Sequence, residues 1–129
     1  MSNQFAATIL DQPVILAPMS GITDQPFRRL VREFGVDVVV SEMIASASQV
    51  KGSRISSERA RWAVDEGLRV VQLAGCQTEP MALAAAMNQD QGADVIDINM
   101  GCPVKKVVGG AAGSALMRDE AHALRLIKA

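Results

Sequence analysis

Four short runs of apolar, mostly β-branched residues divide the chain, and a longer helical pattern follows each. They are Val14–Ala17, Val36–Ser41, Leu68–Ala74 and Val95–Asn99, beginning at 14, 36, 68 and 95, so that the spacings are 22, 32 and 27 residues. The runs are nearly continuous rather than alternating apolar and polar. That pattern belongs to strands covered on both faces, as in parallel sheets. Parallel neighbours need a crossover, and intervals of this length hold one βα unit each. The predicted fold class is therefore α/β.

The intervals carry helix signals. Thr23 or Asp24 is placed to cap a helix whose first turn holds Pro26. Phe27, Leu30, Val31 and Phe34 recur at helical spacing, which predicts an apolar face, and Gly35 suits a left-handed C-cap. Residues 44–50 read as helical, and residues 51–67 carry no clear signal. Thr78 is the expected cap of an Ala-rich helix ending before Gly92. A long glycine-rich loop is expected after residue 99, with a short helix near Ser114–Met117. Asp119 is then placed to cap a last helix running to Lys128.

Composition narrows the function classes. The chain has 129 residues, 49% hydrophobic and 21% charged, the composition of a globular domain. No apolar run is long enough to span a membrane, and the N-terminal stretch lacks the pattern of a signal peptide. Thirteen basic residues against fourteen acidic ones give a formal charge of −1, which does not mark a nucleic-acid binder. Two cysteines without an export signal are expected to be reduced thiols, and a single histidine leaves no zinc set, so no metal is predicted.

Small and polar residues gather just after the strands, in Ala17-Pro18-Met19-Ser20-Gly21, Ala74-Gly75-Cys76-Gln77 and Asn99-Met100-Gly101-Cys102-Pro103. In α/β folds the strand C-terminal ends are where ligands bind. Cys102 lies just past a buried strand, between a glycine that permits a tight backbone and a proline that fixes it. A thiol so presented can exchange a proton or act as a nucleophile, although a free cysteine is also a common small core residue. Gln72 sits inside the run Val70-Val71-Gln72-Leu73. A polar side chain there needs a hydrogen-bond partner, either a polar ligand at a barrel mouth or neighbouring backbone. Asp97 could be a buried partner or the anchor of a loop. Gly109–Gly113 fits neither a P-loop nor a dinucleotide motif and reads as a flexible connection, or as a loop closing over substrate. His122 is expected on a helix surface.

Four segments, Leu16-Ala17-Pro18-Met19-Ser20-Gly21-Ile22-Thr23-Asp24-Gln25-Pro26-Phe27-Arg28, Ser41-Glu42-Met43, Val71-Gln72-Leu73-Ala74-Gly75 and Asp97-Ile98-Asn99-Met100-Gly101-Cys102-Pro103-Val104-Lys105-Lys106-Val107, together resemble the tRNA-dihydrouridine synthases. The resemblance runs in order from about residue 14 to the end. It implies an FMN-binding TIM barrel followed by a helical tRNA-binding domain, acting in the cytoplasm. It implies reduction of the C5–C6 double bond of particular uridines in tRNA, with NADPH as reductant. By the same resemblance Cys102 is the general acid, Pro18, Met19, Ser20 and Gln72 contact FMN, and Asn99 lies near the uracil. Cys76 matches no catalytic position.

A barrel of this kind needs about 250 residues. Residues 1–129 are accordingly expected to form its N-terminal half, about four βα units, without the later flavin-contacting lysine and phosphate loops. Such a half barrel is expected to be inactive alone, to bind FMN weakly or not at all, and to aggregate or pair with a second copy, because its edges and inner face are uncovered. Two other readings stay open on the residues: an FMN-dependent barrel acting on a free pyrimidine, and a small non-catalytic α/β interaction domain.

Overall fold

A computed structural model describes residue 11 and residues 14–62 and 67–129. Its elements are β1 (Ile15–Leu16), α1 (Gln25–Glu33), β2 (Val38–Val40), β3 (Ile44–Ala45), α2 (Ser46–Val50) and α3 (Arg54–Arg59). They are followed by β4 (Arg69–Ala74), α4 (Thr78–Asp90), β5 (Val95–Ile98), α5 (Lys105–Val108), a 3-10 helix (Gly113–Arg118) and α6 (Glu120–Lys128). Every strand pairing is parallel: β1 with β2, β2 and β3 with β4, and β4 with β5. The strands therefore lie side by side in chain order, with no reversal. A doubly wound sheet reverses its order at a switch point, whereas a βα-barrel adds each strand to the same side. This is the barrel arrangement.

The register explains why β2 and β3 are separate. Val40 pairs with Val70, and Ile44 pairs with Leu73. Four steps along one strand thus face three along the other, which leaves one residue extra: a β-bulge at Ser41–Met43. The bulge removes a main-chain partner from β4, and the Ser41 hydroxyl replaces it, accepting from Gln72 N–H at 3.0 Å. It also turns Ile44 away from the inner face, so that Ile44 joins Leu73 against the helices.

Two apolar layers result. Val71, Leu73, Ile44, Met81, Ala84, Leu116 and Leu126 form the core between sheet and helices. Val38, Val40 and Val70, with Leu68 and Val95 beside them, form a smaller cluster on the opposite, inner face. Side chains alternate along a strand, so Gln72 and Asp97 stand on that inner face, one step above the Val70–Val95 pair. The sheet's chemistry is thereby raised to its C-terminal rim.

Several expectations change. In α1 the fully buried side chain is Arg28, while Leu30 and Phe34 are exposed, Phe34 at 82%. Arg28 is buried because its charge is satisfied: its guanidinium donates to the Thr23 carbonyl at 2.9 Å and the Arg61 carbonyl at 2.8 Å, and lies 4.4 Å from the Trp62 ring centre. Asp24, not Thr23, caps α1, accepting from Phe27 N–H at 3.0 Å. Thr23 is buried and ties back to Met19. Residues 44–50 divide into β3 and α2, because Ile44 and Ala45 find β4 as a partner before the helix begins. Residues 51–67 conceal α3, capped by the Ser53 hydroxyl; residues 63–66 lie outside the described set. Thr78 is the first residue of α4 rather than its cap, and the loop after β5 contains the short helix α5. Asp119 caps α6, accepting from His122 N–H at 2.9 Å, as its position predicted.

Leu73 has no exposure and sits in the centre of the larger core. Leu73→Ala is expected to destabilise the fold by about 2–5 kcal/mol, and Phe34→Ala to change stability by less than about 0.5 kcal/mol. Chemical denaturation of the two variants checks this.

Candidate functional site

The turns after β1, β4 and β5 and the β2–β3 bulge open onto one cleft at the strand C-terminal ends. Its volume is about 950 Å³, near the upper end of the range of small-molecule sites. Pro18, Ser20, Met43, Gln72, Asn99 and Cys102 all line it. Of the residues predicted to form a site, only Met19 lies outside the cleft wall. It belongs to the same turn, which it closes by donating its N–H to the Thr23 hydroxyl at 2.9 Å.

Gln72 is 6% exposed and has both ends of its amide engaged. Its Nε2 donates to Asp97 Oδ2 at 2.6 Å, and its Oε1 accepts from Asn99 Nδ2 at 2.9 Å. Asn99 Oδ1 in turn accepts from Cys102 N–H at 2.9 Å and Gly101 N–H at 3.3 Å. The partners of Gln72 within the protein are thus side chains, where the sequence pointed to a ligand or to backbone. The relay spans β4, β5 and the loop after β5, and it ends on the residue that carries the thiol. Each amide uses one of its two N–H donors in the relay and retains the other, and both residues line the cleft.

Cys102 is a free, half-buried cysteine. Its carbonyl accepts from Ser114 N–H at 3.0 Å, which brings the start of the 3-10 helix against the thiol loop. Gly113 makes that approach possible. Its φ is +61°, and a Cβ there would fall 2.5 Å from the Cys102 oxygen. The glycine-rich stretch expected as a flexible connection therefore ends in a tightly packed anchor, with Ala112 and Gly113 buried.

The bulge and α3 each supply one charged group that sequence reasoning did not assign. The Glu42 carboxylate, 7% exposed, accepts from Gly21 N–H at 2.6 Å and faces Arg59 Nε at 3.6 Å. Arg59 also donates to the Met43 carbonyl at 3.1 Å and lines the cleft. This pair fastens the turn after β1 to the bulge. Glu42 stood just past the second apolar run, in the Ser41-Glu42-Met43 segment, without a role; Arg59 lay in the stretch without signal. His122 is half-buried rather than on the surface: its Nε2 is 2.6 Å from the Cys76 carbonyl and its Nδ1 is 3.1 Å from Arg125 Nη2. These partners assign the proton to Nε2, which donates to the loop after β4, while Nδ1 accepts from Arg125. Cys76 itself is a second thiol on the cleft wall. Among the described residues, no three His, Cys, Asp or Glu side chains gather as a metal site, and no helix is long and apolar enough to cross a membrane.

Parallel strands in barrel order, with a cleft at their C-terminal ends, define an α/β-barrel-type chain. The dihydrouridine synthase (Dus) family model matches residues 15–129, and the chain belongs to that family. It is 55% identical over 121 residues to a probable tRNA-dihydrouridine synthase of Rhodobacter capsulatus, and 54% identical over 121 residues to one of Rickettsia typhi; each match covers 93% of this chain and 37% of the relative. It is 52% identical over 116 residues to tRNA-dihydrouridine synthase B of Pseudomonas putida, covering 90% of this chain and 34% of the relative. The chain thus spans little more than a third of the length of these curated relatives.

Gly113→Ala is expected to displace the thiol loop, because both the positive φ and the Cys102 carbonyl oppose a Cβ. At Gly110 a Cβ would sit 3.4 Å from the Val107 carbonyl, so Gly110→Ala is expected to be milder. Alkylation rates of Cys102, measured in a Cys76→Ser background, should change severalfold for the first variant and little for the second.

Proposed function

We propose that the cleft is the flavin and uracil site of a tRNA-dihydrouridine synthase. The observation that carries this reading is the convergence of a free thiol, Asn99 and Gln72 on one cleft at the strand ends, in a chain of the Dus family. The reaction is reduction of the C5–C6 double bond of specific tRNA uridines, with FMN as cofactor and NADPH as electron donor. The uridine must leave its stack to enter such a cleft. A tRNA substrate supports a cytoplasmic location for the protein.

The residues present fit the ring end of a flavin. The cleft is large enough, Pro18 and Ser20 offer a short turn on one side, and Gln72 keeps one N–H and one lone pair beyond those used by Asp97 and Asn99. Pro18, Met19, Ser20 and Gln72 would hold the cofactor. When bound, FMN supplies the hydride, which the protein's own side chains cannot.

The protein supplies position and a proton. Cys102 is the general acid: its thiol holds the proton delivered to C5 as the hydride reaches C6. Asn99 orients the uracil, and the same amide holds the Cys102 backbone N–H, so substrate and thiol share one support. Cys76 takes no part in this scheme.

Cys102→Ala in the intact protein is expected to retain bound flavin, read by its visible absorbance. Dihydrouridine formation in tRNA should fall by about 10²–10⁴-fold, the usual worth of a positioned acid. Full turnover in that variant would remove Cys102 from the role. Free uracil should be a far poorer substrate than tRNA.

A further inference from the structure

We propose that Asp97 is a positioning residue that sets the polarity of the side-chain relay and, through it, the conformation of the loop carrying Cys102. The inference rests on the reading of that loop as the reacting one. An amide side chain has a donor end and an acceptor end, and turning it over exchanges them with little change of shape. Two amides in series would ordinarily have two arrangements. Here both ends of the series are chemically committed.

At one end a carboxylate can only accept. Asp97 is the residue directly across from Gln72 in the β4–β5 register, and it takes the Gln72 Nε2 hydrogen at 2.6 Å. Gln72 must then turn its oxygen toward Asn99, and Asn99 must answer with its Nδ2, at 2.9 Å. At the other end, backbone N–H groups can only donate. Asn99 Oδ1 is the acceptor left to face Cys102 N–H at 2.9 Å and Gly101 N–H at 3.3 Å. One orientation of both amides satisfies every group. The Asp97–Gln72 contact is charge-assisted, so it is the strongest link and lies furthest from the thiol. The hydrogen bonds lead from Asp97 to Cys102 through two intermediaries, Gln72 and Asn99.

A swap of charge tests this. In Asp97→Asn the residue at the head of the relay is neutral and can donate as well as accept, so it no longer commits Gln72 to one orientation. In the double variant Asp97→Asn/Gln72→Glu, the carboxylate at position 72 accepts from both neighbours, so Asn99 must again donate and again offer Oδ1 to Cys102. Exchange of the Cys102 backbone amide with solvent, followed by NMR in the intact protein, reads the far end of the relay. Leu73 N–H serves as the internal measure of global stability.

Cys102 exchange is expected to accelerate severalfold, up to about tenfold, in Asp97→Asn, at most the factor given by losing one hydrogen bond of ordinary net strength. It should return to within about twofold of the parent in the double variant. If Asp97→Asn also loosens Leu73, the double variant still decides. Recovery at both amides supports the proposal. Recovery at Leu73 without recovery at Cys102 overturns it, as does unchanged Cys102 exchange in Asp97→Asn. A residue that merely filled space on the inner face would show no rescue by exchanging charges. The readout needs neither flavin nor tRNA, so its failure is distinct from retention of turnover in Cys102→Ala.

Discussion

β4 is the strand on which the rest depends. Three other strands pair with it, its residues Val70 to Ala74 are buried, and one of them is an amide. Burying that amide without partners would be unfavourable by a few kcal/mol, so its surroundings are built to satisfy it. The main-chain N–H of Gln72 takes the Ser41 hydroxyl, and its side chain takes Asp97 and Asn99. The first contact comes from the bulge between β2 and β3, the second from β5, and the third from the loop that bears the thiol. One buried polar residue thereby ties three segments of the rim together.

The bulge links local irregularity to the site. A regular strand through residues 38–45 would have kept alternation and sent Ile44 to the inner face. The extra residue restores Ile44 to the helix-packed core and frees Ser41, Glu42 and Met43 for the rim. Glu42 then reaches Gly21 and Arg59, so the turn after β1 is held from two sides. Irregular backbone next to a site is a recurring use of β-bulges. Here its effect is to aim a carboxylate and a hydroxyl at groups far away in sequence.

The strand plan was legible because parallel strands carry their signal locally, in continuous apolar runs at βα spacing. So was the gathering of Pro18, Ser20, Gln72, Asn99 and Cys102 at one end, since strand polarity alone places those turns together. Helix α1 was legible in extent but not in orientation. Its apolar spacing named Leu30 and Phe34 as a buried face, while the chain buries Arg28 instead, through the Arg61 carbonyl and the Trp62 ring, 33 and 34 residues further on. Helix α3 was not legible, because Arg54–Arg59 is short and polar and Arg59 finds its purpose in Glu42 and the Met43 carbonyl. His122 likewise gave no sign of the Cys76 carbonyl that half-buries it.

What the amino-acid sequence determined by itself is the α/β class, the parallel strands and the set of residues that reach the C-terminal rim, because periodicity and turn chemistry act over a few residues. The four motifs also carried the family resemblance. Only the tertiary structure decided which rim residues touch, which way each amide points, and how Gly113 lets a 3-10 helix close on the thiol loop. The contacts of Gln72 span 25 to 31 residues of chain between the β2–β3 bulge, β4 and the end of β5, and their geometry exists only once parallel register and a one-residue bulge have set the strands side by side.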